Sequence, residues 1–500
     1  MKKMFMCAML VVFLLGFGNS PVFAAKDTLT VANIADIRVL DPLPSTDNVT
    51  ANVLLQMFEN LVFIAPDGTL KPMLAERWEQ PNPTTHVFYI KKGVKFHNGE
   101  ECTATDVKFT LDRALGPQGV TAHSLIKEVA KVEVVNKYTV KITMKSPVTP
   151  FLYALGESWA GIVNKKAVES GDPKTKPVGT GPFKFVSWRK SDRVVLERFD
   201  GYHGKKPNFK NLVIRAIPES SSRTIELQSG AVDVIYDVHF SDFKRIEGDK
   251  KFRLLRKPSN RIDYFEMNLT RSAFKDIRVR KAIKMALDIA GLQKAVWRGV
   301  GYPTVNSLPK GIKYSINNKV PVPAQDVEGA KKLLAEAGIK NLKLTLVTYE
   351  FKEYTDAATI VQSMLADVGI TVDVKVMEMG AFYETLGKGD FDISTSAWGN
   401  NLPDPEYFFG RKLHSRAIGA LNYSRYSNPK FDALLDKGRA VKDGPERGKI
   451  YAEAQQMVLR DLPIIPWSVS ERIVGTSSKV KNFEMHPRGF YRLWMAELGN

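Results

Sequence analysis

The chain has little of what a covalently or metal-stapled protein needs. Among 500 residues there are two cysteines, Cys7 and Cys102. Cys7 lies in an apolar N-terminal run that reads as a cleaved leader, so the mature chain keeps one thiol and forms no intramolecular disulfide. Its stability must come from core burial, which a chain of this length supplies. Cys102 is expected as a small buried apolar residue. Long apolar runs are equally scarce. The one present, residues 4–17, is shorter than the roughly 20 residues a bilayer span needs. Lys2 and Lys3 precede it, and Val22-Phe23-Ala24 follows as a cleavage site. Residues 1–24 therefore read as a secretory signal peptide. A mean hydropathy of −0.19 excludes a multi-span membrane protein. Concentrated charge is missing too. The formal net charge is +18, but Lys and Arg are dispersed and no aromatic-basic motif accompanies them, which argues against nucleic acid.

Catalytic signatures are absent as well. Residues 156–161 have the wrong spacing for a G-x-S-x-G elbow, and residues 444–449 miss a P-loop by one position. Residues 179–182 lack the third glycine of a dinucleotide fingerprint. There is no H-E-x-x-H, C-x-x-C or EF-hand loop, and the seven histidines are never closely spaced. No catalytic residue, metal ligand or cofactor is assigned.

What is present is an alternation of strand and helix patterns, which predicts an α/β fold. Strands are expected at residues 27–33, 87–90, 138–144, 212–217 and 232–236. Helices are expected at 48–61 with Asn48 as N-cap, at 105–114, at 220–229 before Gly230, at 278–292 and at 326–337. The cleanest stretch is β-α-β-α-β: strands at 342–347, 370–377 and 391–397, with helices at 355–368 and 381–386. This is the pattern of a mostly parallel sheet. Ligands of such sheets sit beyond the carboxyl ends of the strands. The first strand ends at Tyr349 and Glu350, the third at Trp398, Asn400 and Asn401. A ring for stacking, amides and a carboxylate around one crevice suit a polar organic ligand.

Several blocks, in order, resemble the bacterial extracellular solute-binding proteins of family 5, the peptide/nickel/opine type. They are Leu40-Asp41-Pro42, Phe58-Glu59-Asn60-Leu61-Val62, residues 67–75 with Trp78, FYIKKGVKFHNG at 88–99 and PVGTGPF at 177–183. FKDIRVRKAIKMALD at 274–288, residues 390–398, NPKFD at 428–432 and LPIIP at 462–466 complete the set. The resemblance spans about residues 27–470. It implies a two-lobe periplasmic-binding-protein fold (type II) with a hinge and an extra subdomain on the N-terminal lobe. The implied division is a signal peptide at 1–24, lobe I at 25–62, 179–268 and 476–500, the extra subdomain at 63–178, and lobe II at 269–475. It further implies a monomeric periplasmic receptor of an ATP-binding-cassette importer. Such a receptor captures a peptide or peptide-like molecule and hands it to a membrane permease with its ATPase subunits.

Dipeptide receptors of this family carry an acidic residue three positions after the tryptophan, where it holds the peptide ammonium. That position here is Asn401, which cannot supply a charge. Asp404 or Glu350 is then expected to take a ligand amine. Nor does an arginine stand near residues 348–350, where the peptide carboxylate would be met; Lys352 is the nearest cation. Arg38, after the first strand, is expected to face an anionic group across the cleft. Ligand binding is thus assigned to Trp398, Asn400, Asn401, Asp404, Tyr349, Glu350 and Arg38. A nickel-chelate receptor of the same family would use His414. An exported hydrolase or peptidase is the alternative of another class.

Overall fold

A computed structural model of the chain describes residues 27–45, 47–117, 119 and 124–499. The expected leader, residues 1–24, lies outside them. The described residues build an eleven-stranded mixed sheet in two halves. In the first half, Thr28–Asn33 runs parallel to Asn211–Ala216 and Val234–Tyr236. Arg193–Arg198 and Phe183–Arg189 extend it antiparallel. Leu29, Val31, Leu196, Leu212 and Val234 are buried against Leu54 of the helix Asn48–Met57, because alternate strand positions share one face.

The second half contains the predicted β-α-β-α-β run. Lys343–Tyr349 lies between Thr371–Met377 and Ile393–Gly399 and is parallel to both. The helix Lys352–Ala366 buries Ala358, Val361 and Leu365 against this sheet, at the spacing of one helical face.

Two long antiparallel strands, Phe252–Met267 and Ile464–Ser477, join the halves. Phe252–Pro258 pairs with Glu471–Ser477 in the first half, and Ile262–Glu266 with Ile464–Val469 in the second. Pro258 opposes Glu471 and Ile262 opposes Val469, so Ser259, Asn260 and Arg261 face Ser470 alone. Such a bulge breaks the ladder and bends the strand. It lies where the pairing passes from one half of the sheet to the other. The expected boundary at 268/269 leaves the strand Phe252–Met267 in lobe I, and that at 475/476 leaves all of Ile464–Ser477 but its last two residues in lobe II; both strands pair through both halves of the sheet.

A separate four-stranded antiparallel sheet, in the order Ala75–Asn82, Thr85–Ile90, Thr139–Met144, Val129–Asn136, falls within the expected subdomain. The helix Ala104–Leu115 covers it, started by a reciprocal Thr103–Asp106 capping box. Cys102 is fully buried in this core, and burial pushes its thiol up.

Two helices differ from expectation. The segment 278–292 is two helices, Ile277–Ala286 and Ile289–Trp297, because Asp288 leaves the first and caps the second through Gly291 N. The helix at residue 48 is capped by Asp47, and it ends at Met57 where Phe58 turns extended.

Candidate functional site

Because Lys343–Tyr349 and Ile393–Gly399 are parallel, their carboxyl ends share one rim. Tyr349 and Trp398 meet there around a cavity of about 480 Å³. Tyr264, Phe382, Tyr383 and Tyr423 add further rings, and Arg261 and Lys412 supply cationic groups. Arg261 belongs to the bulge in the joining strand, so the cavity abuts the bulge. Tyr349 is held by ring contacts with Tyr354 at 4.6 Å and Phe382 at 5.1 Å between centroids. The Tyr349 ring is therefore already packed, which limits its ordering cost on binding.

Each cation has a carboxylate behind it. Arg261 Nη2 donates to Tyr354 Oη and lies 3.5 Å from Asp263 Oδ1. Tyr354 Oη donates to the same Asp263 oxygen at 2.7 Å, and Asp263 is fully buried. Lys412, 4% exposed, has its Nζ 3.6 Å from Glu266 Oε2. The same ammonium lies 4.5 Å from the ring of Tyr423, 5.8 Å from Trp398 and 5.9 Å from Tyr264. Cation–π attraction to three rings helps hold a buried ammonium. Burial pushes Lys412 down and Glu266 up, and their mutual attraction opposes both shifts.

Trp398 and Tyr349 thus line the cavity; the other proposed ligand contacts stand elsewhere. Asn400 is 1% exposed and donates both its backbone N–H (2.9 Å) and its Nδ2 (3.0 Å) to Asn260 O. It ties the strand end to the bulge. Asn400→Ala is expected to lower stability by about 1 kcal/mol, read by chemical denaturation. Loss of solute affinity at unchanged stability would restore it as a ligand contact. Asn401 is half-buried and hydrogen-bonded to the Tyr407 side chain. Asp404 is fully buried, starts the helix Pro405–Lys412 through Glu406 N, and is paired with Arg447. It has no access to a ligand amine. Glu350 is exposed and off the cavity. The Arg38 side chain is 77% exposed, 3.7 Å from Asp47.

His414 is buried as the cap of a short turn. Its Nδ1 accepts from Arg416 N at 3.1 Å and its Nε2 is 3.4 Å from Asp436 Oδ1. Among the described residues no group of three or more His, Cys, Asp or Glu side chains is arranged to hold a metal ion.

Arg261, Lys412, Tyr264, Phe382, Tyr383 and Tyr423 were not found from sequence. Lys412 carried one available signal: with Arg411 it ends a short helix that holds Tyr407, Phe408 and Phe409.

A second crevice of about 430 Å³ lies between residues 125–150 and residues 402–439, lined in part by Lys127, Glu128, Arg411, Arg416 and Arg439. Here the two segments touch. Arg439 Nη2 is 2.8 Å from Glu128 Oε1, Thr149 N donates to Arg439 O at 2.9 Å, and Thr149 Oγ1 to Val441 O at 2.8 Å. Glu406, buried beside Arg416 and Arg439, is pushed by burial up to about 7. From the ordinary glutamate value up to about 7, the folded chain holds a proton the unfolded chain has lost. This group's contribution to stability therefore falls as pH rises through that window. Glu406→Gln is expected to flatten the fall in Tm between pH 5 and pH 8; an unchanged slope would contradict this.

Two α/β lobes joined by paired crossing strands define a class, the type II periplasmic binding proteins. Solved structures agree. HbpA2 from Haemophilus parasuis superposes with a TM-score of 0.87 at 28% identity, over 95% of this chain and 100% of that one. The DppA periplasmic binding protein of Helicobacter pylori, in complex with the peptide STSA, gives 0.80 at 26% identity, over 95% and 99%. The chain belongs to the bacterial extracellular solute-binding proteins, family 5, whose middle region matches residues 69–420. Its relatives include the glutathione-binding protein GsiB of Pectobacterium atrosepticum, 29% identical over 96% of this chain and 95% of the relative. The heme-binding protein A of Haemophilus influenzae is 29% identical over 87% and 85%. The role of the chain is substrate binding, as the family resemblance in its sequence implied.

Proposed function

We propose that this chain is the exported, periplasmic receptor of an ATP-binding-cassette importer. It acts as a monomer, captures a peptide or peptide-like molecule between its lobes and delivers it to a membrane permease with its ATPase subunits. The observation that carries this reading is the placement of Trp398 and Tyr349 on one rim of a ring-lined cavity beside the bulged joining strands. Closure about that bulge would bury a solute against preset rings, which is capture by hinge motion. The relatives support the solute class: two are named for glutathione and a D,D-dipeptide, and one neighbour holds a tetrapeptide. The nickel-chelate alternative has less support, since both ring nitrogens of His414 face partners within the chain.

The test is a thermal-shift screen of the mature protein with di- and tripeptides, glutathione and N-acylated peptides. At least one is expected to stabilise the fold, by about 2.7 kcal/mol at a hundred times its Kd, and to be recovered intact. Recovery of cleaved peptides with turnover would make the chain a hydrolase. No stabilisation by any member would sink the reading.

A further inference from the structure

The charges around the hinge cavity are one-sided. Arg261 and Lys412 line it, and no aspartate or glutamate does. The carboxylates that balance them, Asp263 and Glu266, are both fully buried behind the wall and already engaged. Asp263 accepts from Tyr354 Oη at 2.7 Å, and Glu266 accepts from Ser424 N at 3.0 Å and Ser396 Oγ at 3.3 Å. A ligand in the cavity therefore meets the cations first and the carboxylates only through them. Arg261 is not exhausted by its neighbours. Its contacts with Tyr354 and Asp263 run through Nη2, and a guanidinium has five N–H donors in a planar fork that matches a carboxylate.

The ring cluster points the same way. Three rings around one ammonium would suit a cationic ligand if the space were free. Here the Lys412 ammonium already occupies that cluster, at 4.5 Å from Tyr423 and 5.8 Å from Trp398. A ligand ammonium entering the cavity would meet two like charges at short range in a weakly screened site.

We infer that the hinge cavity receives the acidic end of its solute: a carboxylate paired with Arg261, carried on an apolar or aromatic body that packs against Trp398, Tyr349 and Tyr423. Lys412 is the second positive group on that wall and excludes amines from it. Any free amine of the solute then lies outside this cavity. The inference rests on the proposed reading of the cavity as the solute site. It sets the orientation opposite to one in which a carboxylate after the tryptophan holds a peptide ammonium.

The experiment uses the mature chain and three probe sets that share the same bodies. These are N-acetylated di- and tripeptides with a free carboxylate, their C-terminal amides, and the same amides with a free amino terminus. Binding is read by thermal shift and calorimetry. The acids are expected to bind at least about tenfold more tightly than their amides, the scale of one charge-assisted pair. The free-amine amides are expected to bind worst. In Arg261→Gln the acid–amide difference should shrink to about threefold or less. The wild-type comparison stands even if that variant fails to fold. Amides that bind as well as acids, or amine-bearing amides that bind best, overturn the inference and leave the cavity as a solute site. If no member of any set binds, the reading of the cavity falls with it.

Discussion

Replacing Arg447 by methionine is expected to destabilise the protein by about 3–5 kcal/mol. Arg447 and Asp404 are both fully buried. The guanidinium meets the carboxylate through two bonds, Nη1 to Oδ2 at 2.6 Å and Nη2 to Oδ1 at 2.9 Å. Its Nε donates to Gly438 O at 2.6 Å, tying the helix Pro429–Ala440 to the helix Pro445–Asp461. Removing the arginine leaves a carboxylate in a buried site with, among the described residues, only the Glu406 N–H at 3.0 Å as a hydrogen-bond partner. An uncompensated buried charge is the costly outcome, whereas replacing both partners together costs far less. The double variant Asp404→Leu with Arg447→Met is therefore expected to recover part of the loss in chemical denaturation. If Arg447→Met were as stable as the parent and had only lost solute affinity, Asp404 would be a ligand contact after all.

The largest effect on binding is expected at Trp398. Trp398→Ala should weaken solute binding by about 2 kcal/mol or more, roughly thirty-fold, as for a ring anchored at the centre of a binding surface. Its ring lies 5.6 Å from Tyr407 and 5.8 Å from the Lys412 ammonium, so the substitution also loosens the wall that holds the lysine. Trp398→Phe keeps a ring there and is expected to recover most of the affinity. Calorimetry with the tightest peptide-like probe separates the cases. Equal affinities for wild type and Trp398→Ala would remove the residue from the site.

The sequence exposed the parts of this site that local pattern controls. Alternation and helix caps located the parallel run, and parallel strands of one sheet end on one rim, which put Tyr349 and Trp398 together. What was hidden depends on distant partners. Asp404 reads as a free carboxylate until Arg447, 43 positions on, is seen against it. Asn400 reads as a polar rim residue until the bulge brings Asn260 O within 3.0 Å. Arg261 and Lys412 reach the cavity from a joining strand and a short helix whose placement no local periodicity reports. The joining strands themselves escaped notice. Residues 262–267 are buried almost throughout, so the two-residue alternation that marks a half-buried strand is missing. Pro258 in their midst reads as a break, although it stands at the edge of the bulge.

A crystal structure of the protein with its tightest peptide-like probe tests the central claim most directly. The account predicts the probe in the cavity of about 480 Å³, with its apolar part against Trp398 and Tyr349 and a carboxylate on Arg261. A probe seated instead in the crevice of about 430 Å³ between Lys127, Arg411 and Arg439, with the ring-lined cavity empty, would contradict it.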